Sequence, residues 1–207
     1  MYNTIIFDVD GTIIDTEKAV LSSLQKLLMT DYNLHYECKD LHFALGIPGA
    51  DALKQMGILD VEQACERWNH FMKEYFHTVA IFEGMTMVLK ALSEQNIKTG
   101  IVTSKTKEEL LNDFVPFGLM NYLSYAICAD DTVEHKPAPE PILKFLELAN
   151  VCPDQAVYIG DTRYDMECAQ AAGVDFALAL WGSKNPALEA KYKLDHPKSI
   201  LRLLQKV

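Results

Sequence analysis

The sequence lacks the features of a membrane, secreted or nucleic-acid-binding protein. None of its apolar runs approaches the roughly 18 to 20 residues that a membrane-spanning helix needs. The first four residues carry neither the positive charge nor the long apolar stretch of a signal peptide. Basic residues are scarce, since 19 Lys and Arg face 29 Asp and Glu, giving a net charge of −10 at pH 7. Because such a charge repels nucleic acid, we expect a cytoplasmic protein that binds neither nucleic acids nor membranes.

Cysteine is sparse and irregularly placed. The chain has an odd number of cysteines, far apart and without a CxxC pair: Cys38, Cys65, Cys128, Cys152 and Cys168. This pattern favours reduced thiols over a disulfide framework, and it speaks against a structural zinc site. Apolar residues are abundant by contrast, at 49% of 207 residues, which suffices for a packed core of one domain or of one domain with a small insert.

Short apolar runs alternate with helical segments along most of the chain. The runs cover residues 4–7, 99–102, 126–129, 156–159 and 176–180. Helical periodicity fits residues 85–94, 107–114, 140–149 and 164–172. Wholly apolar strands separated by helices are typical of a parallel sheet that is buried on both faces. The pattern therefore predicts an α/β fold.

The alternation is interrupted between residues 16 and 79. This interval shows no convincing strand but three helical stretches, at residues 18–29, 50–56 and 61–77. Gly46, Pro48 and Gly49 supply a turn between the first two. We therefore predict a small helical domain of residues 16–79, inserted after the first strand of an α/β core formed by residues 1–15 and 80–207.

Acidic and hydroxyl side chains follow three of the predicted strands. These residues are Asp8 and Asp10 after the first strand, Thr103 and Ser104 after the second, and Asp161 and Asp165 after the fourth. The carboxyl ends of parallel strands meet along one edge of the sheet, where open α/β folds bind ligands. A single Asp after a strand is more often a helix cap. Three strand ends with matching chemistry instead predict one shared site.

The segment FDVDGT at residues 7–12 carries the strongest chemical signal. In extended geometry Asp8 and Asp10 point the same way, and two close carboxylates repel each other unless a cation joins them or one is protonated. Mg²⁺ prefers oxygen ligands and keeps several waters, which leaves room for a phosphate oxygen. Gly11 permits a sharp turn whose backbone N–H groups can hold phosphate. An ordinary Asp-Gly turn between a strand and a helix is the alternative.

The other segments are each ambiguous when taken alone. Thr103 and Ser104 precede a helix, where they suit either a bound anion or ordinary N-capping. Lys136 lies in the proline-rich stretch 135–141. The prolines either hold the charge of Lys136 in a fixed direction, or Lys136 is an ordinary solvated lysine on the surface. Asp161 and Asp165 open a helix, and both would interact favourably with its dipole even without a metal.

In this order, the four segments resemble the haloacid dehalogenase-like (HAD) hydrolase superfamily. The resemblance rests on DxDGT at residues 8–12, the strand-ending Thr103, Lys136 in a KPxP loop and GDxxxD at residues 160–165. The helical insert looks like the C1 cap of that family. The segments GIVTSK at residues 100–105 and KPAPEP at residues 136–141 resemble those of the phosphoglycolate phosphatase-like and PpaX pyrophosphatase-like branch. That branch usually has Asn where this chain has Ser104.

The resemblance implies a Rossmann-like core with strand order 5-4-1-2-3 and the chemistry of a Mg²⁺-dependent phosphatase. Asp8 is then the nucleophile and Asp10 the general acid and base. Thr103 and Lys136 stabilise the transferring oxygens. Mg²⁺ is held by Asp8, the backbone carbonyl of Asp10 and Asp161, with waters positioned by Asp165.

The expected substrate is a small phosphorylated metabolite such as phosphoglycolate or pyrophosphate. Gly11, Thr12 and Ser104 are the expected substrate contacts in the core. When the cap closes, Gly46 and Gly49 would approach the leaving group through backbone N–H groups or shape, because the turn carries no Arg or Lys. The alternative is that this turn merely joins two helices. We expect a monomer or a weak homodimer.

Four other kinds of protein share parts of this pattern. Haloacid dehalogenases lack the second Asp of DxD. A β-phosphoglucomutase-like phosphomutase keeps it, but would be expected to carry basic cap residues that grip a sugar phosphate. A phospho-receiver signalling domain shares the acceptor Asp, the metal, the hydroxyl and the Lys, yet it has only about 120 residues and no helical insert. A non-catalytic scaffold would be expected to have lost a motif, whereas all four are intact.

Overall fold

Strands and helices alternate through the structure, a computed structural model that describes residues 2–204. The strands are β1 (Thr4–Phe7), β2 (Ile14–Asp15), β3 (Ala80–Ile81), β4 (Lys98–Val102), β5 (Tyr125–Ile127), β6 (Ala156–Gly160), β7 (Asp175–Ala179) and β8 (Tyr192–Leu194). The α-helices are α1 (Glu17–Tyr32), α2 (Gly49–Gln55), α3 (Val61–Tyr75), α4 (Met85–Glu94), α5 (Lys107–Asp113), α6 (Glu140–Ala149) and α7 (Arg163–Ala171). Within the described residues, no helix is both long and apolar enough to cross a bilayer.

Short 3₁₀ helices fill several of the connections. They span Cys38–Ala44, Phe76–Thr78, Val115–Phe117, Leu119–Tyr122, Ala129–Asp131, Pro153–Gln155 and Pro197–Leu204. The last of them packs Ile200 and Leu203 into the same hydrophobic cluster as helix α4. It therefore helps to cover one face of the central sheet.

The central sheet is parallel and has the order β5-β4-β1-β6-β7-β8. Its five predicted strands follow one another as the HAD resemblance implies. The sheet differs from the expectation by its sixth strand, β8, which pairs with β7 at the edge. Strand β8 was missed because its three residues include the exposed Lys193 and form no apolar run.

The central strands are mostly apolar because both faces of the sheet are covered. In β1, Ile5 and Phe7 face one hydrophobic cluster, to which Leu89 of α4 also belongs. Between them, Ile6 faces the opposite cluster, which contains Phe145 of α6. Successive strand residues point to opposite faces, so a sheet covered on both sides favours apolar residues at both kinds of position in its central strands.

Helices α1, α2 and α3 pack around a third hydrophobic cluster of their own, which includes Leu24, Leu53 and Phe71. The chain enters and leaves these helices through β2 and β3, which pair antiparallel, with Ile14 opposite Ile81 and Asp15 opposite Ala80. We call the helices between these two strands the cap. The division into a core and a cap at residues 16 and 79 remains a prediction, which a measurement of their relative motion would test.

Candidate active site

Three strand ends meet at one edge of the sheet. Asp8 follows β1, Thr103 follows β4 and Asp161 follows β6, and all three side chains are buried. The strand register places Phe7 beside both Ile101 and Ile159. The N–H of Asp8 continues the sheet by donating to the carbonyl of Ile159 at 2.8 Å. The sheet itself therefore fixes the backbone of Asp8 between the two neighbouring strand ends.

Lys136 reaches into this edge from the proline-rich loop. Its Nζ lies 2.8 Å from Asp8 Oδ1 and 2.7 Å from Asp165 Oδ1, and its side chain is almost fully buried. Burial alone would lower the pKa of Lys136, but the carboxylates of Asp165 and Asp8 raise it well above its usual value. Lys136 is therefore a fixed positive charge that holds one oxygen of Asp8.

Asp165 is saturated with hydrogen bonds from the protein. Its Oδ1 accepts from Lys136 and lies 2.9 Å from the hydroxyl of Tyr158. Its Oδ2 accepts from the backbone N–H of Thr162 at 3.0 Å and from the Thr162 hydroxyl at 2.6 Å, forming the capping box that begins α7. This arrangement suits Asp165 for positioning Lys136 and for an outer role beside a metal. A role of Asp165 in metal binding remains a prediction.

Tyr158 was not identified from the sequence. It lies within β6, and its hydroxyl lies 3.2 Å from Lys136 Nζ and 2.9 Å from the carbonyl of Val102. A tyrosine in an apolar strand looks like an ordinary core residue, so only the fold reveals that its polar tip supports Lys136. Burial and the nearby Asp165 raise the pKa of Tyr158 well above its usual value, and the phenol stays neutral.

The carboxylates of Asp8, Asp161 and Asp165 form an acidic cluster in which one oxygen of each lies within 4.8 Å of the others. Burial, joined by the neighbouring carboxylates, raises the pKa of Asp8 to about 7 and raises the pKa of Asp161 well above its ordinary value. Asp8 Oδ2 is buried and has no hydrogen-bond partner among residues 2–204. Oxygen donors with unbalanced negative charge and one unpaired atom fit a hard divalent cation.

The turn after β1 is packed tightly against this cluster. Gly11 has a φ of +78°, and a Cβ there would overlap the Asp161 carboxylate; only glycine suits the position. The neighbouring Thr12 hydroxyl donates to Asp161 Oδ1 at 3.3 Å. From the loop after β7, the Trp181 indole N–H donates to the carbonyl of Thr12 at 3.0 Å. A Cβ at Gly182 would overlap the carbonyl of Gly11.

Asp10 is held by a lysine that the sequence did not single out. Lys105 Nζ lies 3.2 Å from Asp10 Oδ1, at ion-pair distance but outside hydrogen-bond geometry. It also donates to Asp113 Oδ2 at 3.0 Å. Lys105 is buried. Burial alone would lower the pKa of Lys105, but the carboxylates of Asp10 and Asp113 raise it above its usual value. Since Asp113 lies eight residues further along, at the end of α5, only the folded chain brings these three groups together.

Thr103 and Ser104 point to different partners. The Thr103 hydroxyl accepts a hydrogen bond from the N–H of Lys105 at 3.2 Å. The Ser104 hydroxyl donates to the carbonyl of Gly46 in the cap at 2.8 Å. Ser104 therefore joins the core to the cap in this structure. The predicted contacts of Thr103 and Ser104 with phosphate remain predictions.

The turn of the cap that contains Gly46 lies directly against the core. Gly46 has a φ of +89°, and a Cβ there would lie 2.8 Å from the Thr162 side chain. His135 Nδ1, in the proline-rich loop, lies 3.0 Å from Asp51 Oδ2 of α2. At Gly49 a Cβ would lie 3.3 Å from the ring of Trp68. The cap is thus closed over the carboxyl edge of the sheet.

A cavity of about 160 Å³ lies between the cap and the core. Seven of the residues predicted for the site line it: Asp8, Asp10, Gly11, Gly46, Gly49, Ser104 and Asp161. The other four, Thr12, Thr103, Lys136 and Asp165, are buried next to these and support them. The structure thus gathers the predicted residues around one cavity. Their roles in catalysis and binding remain predictions.

Comparison with known proteins places the chain in a family. The haloacid dehalogenase-like hydrolase family model matches residues 5–179. The chain belongs to this family. A HAD hydrolase has an enzymatic rather than a signalling role, in agreement with the prediction from the four motifs.

Individual relatives cover nearly the whole chain. Pyrophosphatase PpaX from Bacillus cereus strain G9842 is 30% identical over 194 residues, which are 93% of this chain and 90% of the relative. Pyrophosphatase PpaX from Bacillus anthracis strain A0248 is 29% identical over the same shares of the two chains. Both relatives agree with the branch to which the strings GIVTSK and KPAPEP are similar.

Among solved structures, a protein from Lactobacillus plantarum that was proposed to be a phosphoglycolate phosphatase superposes with a TM-score of 0.90. It is 29% identical, and the match covers 99% of this chain and 100% of that chain. A HAD-superfamily hydrolase of subfamily IA from Geobacter sulfurreducens superposes with a TM-score of 0.79 at 25% identity, over 99% of this chain and 100% of that one. Both the core and the cap therefore have counterparts in known structures.

Proposed function

We propose that this hydrolase is a Mg²⁺-dependent cytoplasmic phosphatase that cleaves a small phosphorylated metabolite through an aspartyl-phosphate on Asp8. The observation that carries the proposal is the state of the Asp8 carboxylate. One oxygen is held by Lys136 at 2.8 Å, while the other is buried beside the cavity without a hydrogen-bond partner among residues 2–204. A carboxylate held in this way is oriented and has a free lone pair for attack.

In the first step, Asp8 Oδ2 forms a bond to phosphorus while the bond from phosphorus to the leaving oxygen breaks. Asp10 gives its proton to that leaving oxygen. In the second step, Asp10 takes a proton from a water molecule, which attacks phosphorus and releases Asp8 and inorganic phosphate. The contact of Asp10 with Lys105 at 3.2 Å keeps the Asp10 side chain at the cavity wall.

Mg²⁺, when bound, would offset the repulsion between the anionic nucleophile and the anionic phosphoryl group. The residues proposed to hold it are Asp8, Asp161 and the backbone carbonyl of Asp10, with Asp165 supporting from behind. The acidic cluster favours this assignment, because one oxygen of each of Asp8, Asp161 and Asp165 lies within 4.8 Å of the others. Lys136 and Thr103 stabilise the charge on the transferring oxygens.

The small cavity favours a small leaving group. A volume of about 160 Å³ suits substrates of the size of phosphoglycolate or pyrophosphate better than bulky nucleotides. The names of the PpaX relatives and of the Lactobacillus plantarum protein agree with this size. The phosphomutase alternative lacks similar support, because the described cap residues that line the cavity include no Arg, Lys or His.

The experiment that tests the proposal compares Asp8→Asn with Asp154→Asn, an exposed Asp far from the motifs. Asp8→Asn should fold and lose essentially all phosphate release, because an amide is a poor nucleophile and a poor ligand for a cation. Asp154→Asn should match the wild type. EDTA should abolish the activity, Mg²⁺ should restore it, and Ca²⁺, which tolerates more ligands, should inhibit it. Substantial turnover by Asp8→Asn would refute the assignment.

The products distinguish hydrolysis from transfer. If water is the acceptor, inorganic phosphate appears in proportion to the substrate that is lost. Interconversion of hexose phosphates without release of phosphate would instead establish a mutase.

A further inference from the structure

We propose that, among phosphate esters small enough for the cavity, the enzyme cleaves those of small uncharged alcohols faster than those whose leaving group carries a second anionic group. This inference rests on the proposed phosphatase function and deepens it, since it specifies the charge of the leaving group. It is drawn from the part of the cavity wall that lies outside the acidic cluster around Asp8.

That part of the wall has more negative than positive charge. Its ionisable side chains, apart from Asp10, are Asp15, Glu17, Glu109, Asp113, Lys105 and Lys184. Lys105 already contacts Asp10 at 3.2 Å and Asp113 at 3.0 Å. Lys184 already forms an ion pair with Glu17. Each lysine is therefore matched by a carboxylate before any substrate enters.

The basic residues of the cap do not supply the missing positive charge to this wall. Arg67 pairs with Asp31 at 2.8 Å, and Lys26 pairs with Glu74 at 2.6 Å. Both pairs lie within the cap, and neither Arg67 nor Lys26 lines the cavity. A substrate carboxylate or second phosphate would therefore lose part of its hydration without gaining a cation, a combination that is unfavourable.

The remaining wall suits a short carbon chain with a hydroxyl group. Its apolar members come from the cap, which contributes among others Val20, Ile47, Trp68 and Met72, and from the core, which contributes Phe82 and Trp181. The indole N–H of Trp68 donates to the Ser23 hydroxyl at 2.9 Å, so this donor is not available to a substrate. Asn69, beside Trp68 on α3, also lines the cavity. Its amide can both donate a hydrogen bond to a hydroxyl group and accept one from it.

Matched pairs of esters test the inference directly. Ethylene glycol monophosphate and phosphoglycolate differ in a terminal hydroxymethyl or carboxylate group, and glycerol 3-phosphate and 3-phosphoglycerate differ in the same way. In each pair we expect the uncharged leaving group to give the higher kcat/KM, by on the order of tenfold or more. Phosphate release with Mg²⁺ is the readout.

A cation added to the wall should reverse this preference. Asn69→Lys places a positive charge at the cavity and should raise kcat/KM for the anionic member of each pair relative to its uncharged partner. His70→Lys is the matched control, since His70 is the next residue of α3 and is exposed. It should leave the ratio within each pair as in the wild type.

The possible results distinguish the inference from the proposed function. If the wild type cleaves the anionic esters as well as or better than the uncharged ones, and Asp8→Asn is inactive, the inference is refuted and the phosphatase function stands. The inference is also refuted if Asn69→Lys, folded as judged by its thermal unfolding, leaves the ratio unchanged. If the wild type releases no phosphate from any ester, including p-nitrophenyl phosphate, both the inference and the function fail.

Discussion

Mg²⁺ binding at the acidic cluster should weaken as the pH falls from 8 to 6. In the metal-free protein, burial raises the pKa of Asp8 to about 7. A carboxyl group must lose its proton before it can bind a metal, so protons and Mg²⁺ compete for Asp8. Lys136 does not contribute over this range, because Asp165 and Asp8 keep its pKa far above it.

The size of the effect follows from the pKa of about 7 for Asp8. At pH 8 roughly nine molecules in ten have an ionised Asp8, whereas at pH 6 roughly one in eleven does, so the apparent Kd for Mg²⁺ should rise about tenfold. The pKa of Asp161 is also raised, by its burial and by Asp165 and Asp8. A proton held on Asp161 would make the dependence of Mg²⁺ binding on pH steeper.

Thermal unfolding gives a second readout with a defined sign. The pKa of Asp8 is higher in the folded protein than in the unfolded chain. The folded state therefore holds the extra proton between about pH 4 and pH 7, and the metal-free protein should lose stability as the pH rises through this window. Mg²⁺ should restore that stability, so the increase in Tm that it causes should be larger at pH 8 than at pH 6.

The assay is calorimetric titration of the EDTA-treated protein with Mg²⁺ at pH 6, 7 and 8, with Tm measured in parallel. Asp8→Asn should bind Mg²⁺ weakly and lose the part of the pH dependence that belongs to Asp8. Asp154→Asn should behave as the wild type does. An apparent Kd that is the same at pH 6 and pH 8 would refute the view that a protonated Asp8 controls metal binding.

Three further variants test separate parts of the site. Lys105→Met should lower kcat at least about tenfold by releasing Asp10, and Lys105→Arg should recover part of it; an unchanged kcat in the Met variant would remove Lys105 from the mechanism. Gly182→Ala should lower Tm, at a cost of roughly 1–3 kcal/mol in the free energy of unfolding, because its Cβ would overlap the carbonyl of Gly11; an unchanged Tm would show that the loop yields freely. Gly46→Val should raise KM and change the ranking of an ester panel without changing the Mg²⁺ dependence, because its side chain would push the cap away from the core; an unchanged ranking in the folded variant would make the turn purely structural.

Much of the core was predictable because strong local patterns agree with its burial. Helices α4 and α6 begin and end where their apolar periodicity predicts, and strands β1 and β6 are buried at every residue. Strand β5 was predicted as residues 126–129 but covers Tyr125–Ile127, because Ala129 already begins a 3₁₀ helix. Strand β8 has no such pattern, since it is held mainly by its pairing with β7.

The candidate site was predictable most directly where its residues follow strands, whereas Lys136 was found from its proline-rich loop. Asp8 and Asp161 were found from their strands, because the topology of a parallel sheet brings strand ends together. Lys105 and Tyr158 were missed, since one is a charged residue in a loop and the other a core-like residue in a strand. Their roles depend on partners elsewhere in the fold: Asp113 for Lys105, and Lys136 for Tyr158. No pattern of neighbouring residues reveals such pairs.

Trapping the covalent intermediate tests the role of Asp8 most directly. The protein would be mixed with substrate and Mg²⁺, quenched within milliseconds, reduced with borohydride and digested for mass spectrometry. An aspartyl-phosphate on Asp8 predicts that residue 8 is converted to homoserine in the wild type and that no such product forms in Asp8→Asn. Phosphate release without reduction at residue 8, or with the adduct on Asp10 or another residue, would contradict the assignment of Asp8 as the nucleophile.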